Sequence, residues 1–338
     1  MISLPVKYRP QTFDDVVGQD SVIKVLQKQI ETNNIKNAYL FCGQSGGGKT
    51  TSARIFANAI NGGTGSPIEI DAASNNGVDS IRSLVQESKE RALNSKYKVF
   101  IIDEVHVLTS QSWQALLKTL EEPSEYTVFI LCTTDPQKIP QTILNRVQRF
   151  NFNKIPPNLI KGRLQYVCEQ EHFVNYDETI DYISKTCNGC MREALSILGK
   201  IADYNTTFDI NNTISILGEV STKKYVGFIN ACIDGNEKVV LSIIDEIENN
   251  GTDVKLFVDR LFRFVLDVSK YIIFSTLDVT TIPNVFEADI KNIINFDNPI
   301  NYYNYVMSKL LELKNMLKND TDSSSTVRVV CLQIARMQ

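Results

Sequence analysis

The 338-residue sequence has no apolar run long enough to cross a bilayer, and its first residues (MISLPVKYRP) carry no apolar signal-peptide core. Both absences point to a cytoplasmic protein without a membrane partner. Excess positive charge is also missing: 35 Lys and Arg against 39 Asp and Glu leave a formal net charge of −4. A chain that wraps nucleic acid over its whole surface is thereby excluded, so any DNA contact must come from a local patch or from assembly. There is no internal repeat and no low-complexity tail. The seven cysteines (Cys42, Cys132, Cys168, Cys187, Cys190, Cys232 and Cys331) are scattered, and several fall in apolar patterns, as reduced buried thiols do. The lone CxxC, Cys187 and Cys190, has no second Cys or His pair nearby to complete a zinc site.

What is present is ordinary for a globular protein, 43% hydrophobic and 22% charged residues in a length that suits two or three domains. One stretch stands apart. GQSGGGKT, Gly43–Thr50, matches the phosphate-binding pattern GxxxxGK[ST] in full. The glycines let the backbone at Gly43, Ser45, Gly46, Gly47 and Gly48 wrap a polyphosphate with amide N–H groups turned inward. Lys49 would reach the β- and γ-phosphates and the Thr50 hydroxyl would ligate Mg²⁺. The apolar run Ala38–Cys42 reads as a buried strand before the loop. Thr51–Ile60 reads as a helix after it, with its N-terminal dipole and Thr51 amide turned to the same anion.

Up to about Phe152, short apolar strands alternate with helical patterns. Ile68–Ile70, Val99–Asp103, Thr127–Thr133 and Arg149–Phe152 follow the first strand, which argues for a parallel α/β sheet covered on both faces. Gln111–Glu122 places Trp113, Leu116, Leu117 and Leu120 on one helical face, and Pro123 stops it. From Pro156-Pro157 onward strands disappear and helical patterns run through Tyr204. Asn205-Thr206-Thr207 marks a second boundary. Beyond it, Lys238–Glu248 and Asp253–Lys270 are helical. In the latter Leu256, Phe257, Leu261, Phe264, Val265 and Val268 form an apolar stripe, read as core with a subunit interface as the alternative. Asn319–Ser325 reads as a polar loop before a last helix, Val327–Met337.

Chemistry concentrates downstream of the phosphate loop. Asp103 ends a buried strand, where it can hold Mg²⁺ through water, and Glu104 is placed to orient and polarise an attacking water. His106 reads as a structural histidine, because Glu104 already fills the role of base. Thr133 and Thr134 end the next strand; Thr134 is the favoured γ-phosphate sensor, against a simple pair of β-favouring residues. Arg146 suits an arginine that reaches a neighbour's γ-phosphate, and equally a solvated surface charge. Arg192 opens a helix and could swing over the phosphates, with a solvated helix charge as its alternative.

Together these residues resemble the AAA+ ATPases, and more narrowly the γ/τ family of bacterial DNA polymerase III clamp-loader subunits. The likeness is densest in YRPQTFDDVVGQ (Tyr8–Gln19), the phosphate loop, EIDAASNNGVDSIR (Glu69–Arg82), IIDEVHVL, ALLKTLEEP (Ala115–Pro123) and TTDPQKIPQTILNR (Thr133–Arg146). GCMREALS extends it into a second domain. The resemblance implies an AAA+ nucleotide-binding domain with a five-stranded parallel sheet at 1–155, a small helical lid at 156–205 and an all-α collar at 206–338. It implies ATP and Mg²⁺ as cofactors. Tyr8, Arg9, Pro10 and Val17 would lie near adenine, with Thr134 as sensor 1, Arg146 as the finger acting in trans and Arg192 as sensor 2. The implied partners are other subunits of a homo- or hetero-oligomeric ring (a pentamer in the family), a sliding clamp and primer–template DNA.

Two departures from the family pattern stand out. Where cellular members carry a four-cysteine zinc module, this sequence has the bare turn Asn61–Pro67, so zinc is not expected. The finger motif reads NRV in place of SRC. The chain also stops after the collar, which fits a compact, bacteriophage-encoded or trimmed version. The leading expectation is an ATP-driven clamp-loader motor. A non-hydrolysing ring subunit of the δ′ kind is the second reading, and a branch-migration motor, which would call for a basic C-terminal winged helix, the third. Arg82 and Lys118 are the candidates for phosphate contacts inside a ring, against two solvated charges.

Overall fold

The computed structural model describes residues 2–217 and 220–336. They group into two compact units, one made of Met1–Val167 with Cys187–Gly199 and the other of Cys168–Thr186 with Lys200–Gln338.

The first unit is built on five parallel strands: β1 (Ala38–Cys42), β2 (Ile68–Asp71), β3 (Lys98–Asp103), β4 (Thr127–Thr133) and β5 (Gln148–Asn151), in the order β2-β3-β4-β1-β5. All twelve side chains of β1 and β4, five and seven residues long, are buried, since both strands have neighbours on both edges and helices on both faces.

 That double burial is why both strands read as unbroken apolar runs. The outer strands β2 and β5 alternate or expose their residues.

Side-chain alternation sorts the central strands between two cores. Tyr39, Phe41, Ile101, Ile130 and Cys132 face one, together with Leu26 of α2 (Asp20–Glu31) and Phe56 of α3 (Lys49–Ile60). Leu40, Phe100, Ile102, Phe129 and Leu131 face the other, with Ile81 and Leu84 of α4 (Val78–Glu87) and Trp113, Leu116 and Leu120 of α5 (Ser110–Glu121). Each such side chain contributes about 1.5–3 kcal/mol on burial. The helical face expected around Trp113 is therefore a core face, with Leu117 packed at its margin. Thr109 caps α5 by accepting from the Ser112 amide. The short α6 (Gln141–Leu144) leads into β5, and a short α1 (Leu4–Lys7) precedes α2. After α3 the chain turns through Asn61–Pro67, with Gly62, Gly63 and Gly65 all at positive φ.

Helices make up the rest. α7 (Pro157–Gln170), α8 (Asp177–Thr186) and α9 (Met191–Tyr204) are followed by α10 (Ile210–Ile216), α11 (Thr222–Ile233), α12 (Glu237–Asn249), α13 (Val254–Phe274), α14 (Glu287–Ile293), α15 (Pro299–Met316) and α16 (Ser323–Ala335). One apolar core joins Phe257, Leu261, Val265 and Val268 of α13 to Tyr303, Val306, Leu310 and Leu313 of α15 and to Val327, Cys331 and Ile334 of α16. The expected stripe on α13 is thus core, except that Leu256 lies at its edge and is 42% exposed. The last helix begins earlier than its apolar pattern, because Asp322 accepts from the Ser325 amide and caps a first turn of serines. The loop expected over Asn319–Ser325 is shortened accordingly, and Met337, the expected helix end, lies outside the described residues.

Candidate functional site

Parallel strands bring their C-terminal ends to one edge of the sheet, and the candidate residues gather there. The phosphate loop leaves β1 and runs into α3. Gly43 has φ +153°, and a Cβ there would lie 2.3 Å from the Phe152 carbonyl oxygen. Gly46 has φ +69°, and its Cβ would lie 2.1 Å from Cys190 Sγ. No side chain fits either place, so both glycines are required by space as well as by backbone conformation. Lys49 is buried, and its Nζ donates to the carbonyl oxygens of Gly43 (2.7 Å) and Gln44 (3.0 Å). The ammonium is thereby held across the loop where a polyphosphate would compete for it.

Thr50 Oγ1 donates to Asp103 Oδ2 at 2.7 Å, joining the start of α3 to the end of β3. Beside this pair lies a cavity of about 300 Å³ lined by Thr50, Arg54, Glu69, Ile70, Asp71, Ile101 and Asp103. Two hard oxygen donors in contact, opening onto a polar cavity, suit Mg²⁺ with part of its water shell retained. Asp71 stands in register with Asp103 on the neighbouring strand, but its carboxylate is engaged by the Ala73 amide (2.9 Å) and the Ser74 hydroxyl (3.0 Å). Arg54 pairs with Glu69 at 2.5 Å.

Glu104 adopts a left-handed conformation (φ 49°, ψ 41°), uncommon for a non-glycine residue, immediately after β3. Its Oε2 accepts from the Thr134 hydroxyl at 2.9 Å and from the Thr134 amide at 3.3 Å. The ends of β3 and β4 are joined through that carboxylate. Thr133, the other threonine, is fully buried and accepts from the Asp135 amide at 3.0 Å, so the two hydroxyls have separate tasks. Behind them the Cys132 thiol is pushed well up from its ordinary range by burial, with the Asp103 charge adding to the effect.

Arg192 opens α9 beside the loop: a Cβ on Gly46 would lie 3.3 Å from Arg192 Cβ. Arg9 is half-buried and its guanidinium is depressed first by burial and then by Arg54 and Arg192. Tyr8, Pro10 and Val17 are half-buried as well. Tyr8 sets its ring edge-on to Tyr166 at 6.3 Å, and its carbonyl accepts from Arg163 at 3.3 Å. Arg146 is elsewhere. Its guanidinium donates to Glu121 Oε1 at 2.6 Å and to the Thr142 carbonyl at 2.5 Å, on the α5–α6 flank. Arg82 is exposed and pairs with Asp79 at 3.3 Å.

One residue had no assigned role. Gln19, 3% exposed, donates from Nε2 to the carbonyls of Gly47 (3.1 Å) and Asn153 (2.8 Å), and its Oε1 accepts from the Asn153 amide at 3.1 Å. It ties the phosphate loop to the end of β5. The signal was its place at the end of Tyr8–Gln19, a polar residue between a glycine and an amphipathic helix.

With this geometry in hand, comparison with known proteins gives a consistent picture. The family model described as "DNA polymerase III, delta subunit" matches residues 67–156. DNA polymerase III subunit tau of Bacillus subtilis is 39% identical over 281 residues, covering 76% of this chain and 50% of the relative. The gamma/tau subunit of Mycoplasma genitalium is 36% identical, covering 78% of this chain and 48% of the relative. The chain resembles the gamma/tau subunits of DNA polymerase III. It spans about half the length of these relatives, 42% in the case of subunit tau of Escherichia coli, which is 34% identical. Among solved structures, the RuvB Holliday junction branch migration motor of Thermotoga maritima aligns with a TM-score of 0.52 at 17% identity, over 67% of this chain and 79% of that one. At that identity the likeness speaks for the fold, which is AAA+ with helical domains, as expected. Among the described residues no helix is long and apolar enough to cross a membrane.

Proposed function

We propose that this gamma/tau-like chain is an ATP-hydrolysing motor subunit of a DNA sliding-clamp loader. The observation that carries the reading is the joining of β1, β3 and β4 at one edge: Lys49 on the loop, Thr50 on Asp103, and Thr134 on Glu104. In this reading the loop amides and Lys49 bind the ATP phosphates. Thr50, with Asp103 through water, would hold Mg²⁺, which when bound supplies neutralisation of charge on the β- and γ-phosphates. Glu104 keeps Oε2 on Thr134, and Oε1 has no protein partner among the described residues, so Oε1 is the oxygen that orients the attacking water. Arg192 senses nucleotide from α9, and Tyr8, Arg9, Pro10 and Val17 border the base.

Arg146 would act on a neighbour's γ-phosphate, leaving its pair with Glu121 when subunits meet. The domain division 1–155, 156–205 and 206–338, a ring with other clamp-loader subunits, and contact with the clamp and primer–template DNA belong to the same proposal. ATP binding would close the ring and hold the clamp open, and hydrolysis would release it. The delta description of the matched family model keeps a non-hydrolysing structural subunit as the second reading. Against it stands the full set of Lys49, Thr50, Asp103 and Glu104.

The deciding experiment is ATP turnover with the clamp, primer–template DNA and partner subunits of the same source. Stimulated hydrolysis and clamp loading are expected, with Lys49→Ala losing both and Glu104→Gln still binding nucleotide. Absence of turnover under every condition would sink the motor reading in favour of the structural one.

A further inference from the structure

His106 sits in a short 3-10 turn, Val105–Val107, directly after Glu104, and its side chain is 15% exposed. Its Nδ1 lies 3.2 Å from Glu104 Oε2 and 3.3 Å from Thr133 Oγ1. One ring nitrogen thus stands between a carboxylate oxygen and a hydroxyl, and only two proton arrangements are open to it. With a proton on Nδ1, the ring presents a positive N–H to Glu104 Oε2, which is attractive. Without one, Nδ1 accepts from the Thr133 hydroxyl and turns a lone pair on the carboxylate at 3.2 Å, which is repulsive.

From this geometry we infer that His106 is a positioning residue for Glu104, held in the Nδ1–H form with that N–H set against Oε2. The inference rests on the hydrolytic reading of Glu104 given above. Two donors, the Thr134 hydroxyl and amide, then bond one oxygen, and the His106 ring N–H stands against it at 3.2 Å as a third electropositive group. They keep Oε2 occupied and set the plane of the carboxyl group, which aims Oε1. The left-handed backbone at Glu104 is the second mark of the same restraint, since it brings residue 106 back beside the side chain of residue 104. His106 takes no proton from water in this scheme. It fixes the group that orients the water.

The test uses the full chain in the stimulated ATPase assay, with nucleotide affinity measured separately. His106→Leu fills the volume without a donor, whereas His106→Asn returns an N–H near the place of Nδ1. For His106→Leu kcat is expected to fall by roughly 10–100-fold, the range for losing one close polar contact to a charged group. KM and nucleotide affinity should stay unchanged, and His106→Asn should recover most of the rate. In a Glu104→Gln background the leucine change should add little, because the two residues act on one carboxylate. Unaltered kcat in His106→Leu, or equal losses for Leu and Asn, would overturn the assignment in favour of simple packing.

The ring proton can be read without turnover. The chain has two histidines, so ¹⁵N shifts resolve His106 from His172. A protonated Nδ1 whose shift moves in Glu104→Gln is expected, and an unprotonated Nδ1 overturns the inference even where no hydrolysis is found. Failure of turnover in the unsubstituted chain, with the shifts as expected, strikes the hydrolytic reading and leaves the contact standing.

Discussion

The sheet unit and the helical unit both bury polar side chains, but they put them to different use. In the sheet unit Gln19 reaches Asn153, 134 residues away, and Thr50 reaches Asp103, 53 away. In the helical unit buried Asp267 bonds Thr281, 14 residues on, and Ser269 turns back to the carbonyl of Val265. Polar bonds in the first stitch loops from distant parts of the chain into one edge. In the second these buried bonds close local turns, and the helices are held by apolar contact with ion pairs at its margin, such as Arg328 with Asp245 and Glu248. Chemistry should therefore be separable from stability in the first unit and inseparable from packing in the second.

The largest effect that would test this contrast is Phe257→Ala. It should cost about 3–5 kcal/mol of stability through a cavity in the helical core, read as a shift in the urea midpoint. Lys49→Ala should come next, lowering hydrolysis by about 10²–10³-fold while leaving that midpoint almost unmoved. Equal loss of stability in both variants would break the distinction.

Gln19→Ala sharpens it, because Gln19 serves both ends. Losing its bonds leaves the Asn153 amide and two carbonyls unpaired, at a cost of about 1–3 kcal/mol, and nucleotide affinity should drop with it.

Alkaline titration probes both units at once. Burial raises the thiols of Cys42, Cys132, Cys168, Cys187, Cys232 and Cys331 above the ordinary 9.0, to about 12 for Cys168 and Cys232. A raised folded-state pKa means that the folded chain holds its protons longer than the unfolded one. Stability is thus full below pH 9.0 and declines as pH climbs toward the folded values. Thermal melts between pH 8 and 11 should show the fall, and substituting Cys232→Ala should flatten it.

The smallest effect belongs to Glu121→Gln. The pair with Arg146 is partly exposed, so stability should change by less than about 1 kcal/mol. Freed of its partner, Arg146 should raise ATPase only in the assembled state, and a rise in the isolated chain would contradict action in trans.

Much of the sheet unit was legible because its strands are doubly buried and its loop obeys a spacing rule. Ala38–Cys42 and Thr127–Thr133 coincide with the observed strands to the residue. The positions of Asp103, Glu104 and Thr134 at one edge follow from parallel topology. Gln19 was missed because a lone buried amide has no periodicity to betray it. Leu256 was misread because helical spacing places it beside the stripe, while the packed face stops short of it and leaves it 42% exposed. The start of α16 was misread because three serines resemble a loop until Asp322 is seen to cap them. Helical repeats reveal which face is buried, but not what lies against it.

The contact between Gly46 and Cys190 has a practical consequence. Six of the seven thiols are buried, and Cys190 alone is half-exposed. Its sulfur rests against the loop that would hold the phosphates. The molecule therefore supplies its own attachment point for a small probe, one that would report nucleotide arrival as a change in labelling rate or emission, with no residue added or removed.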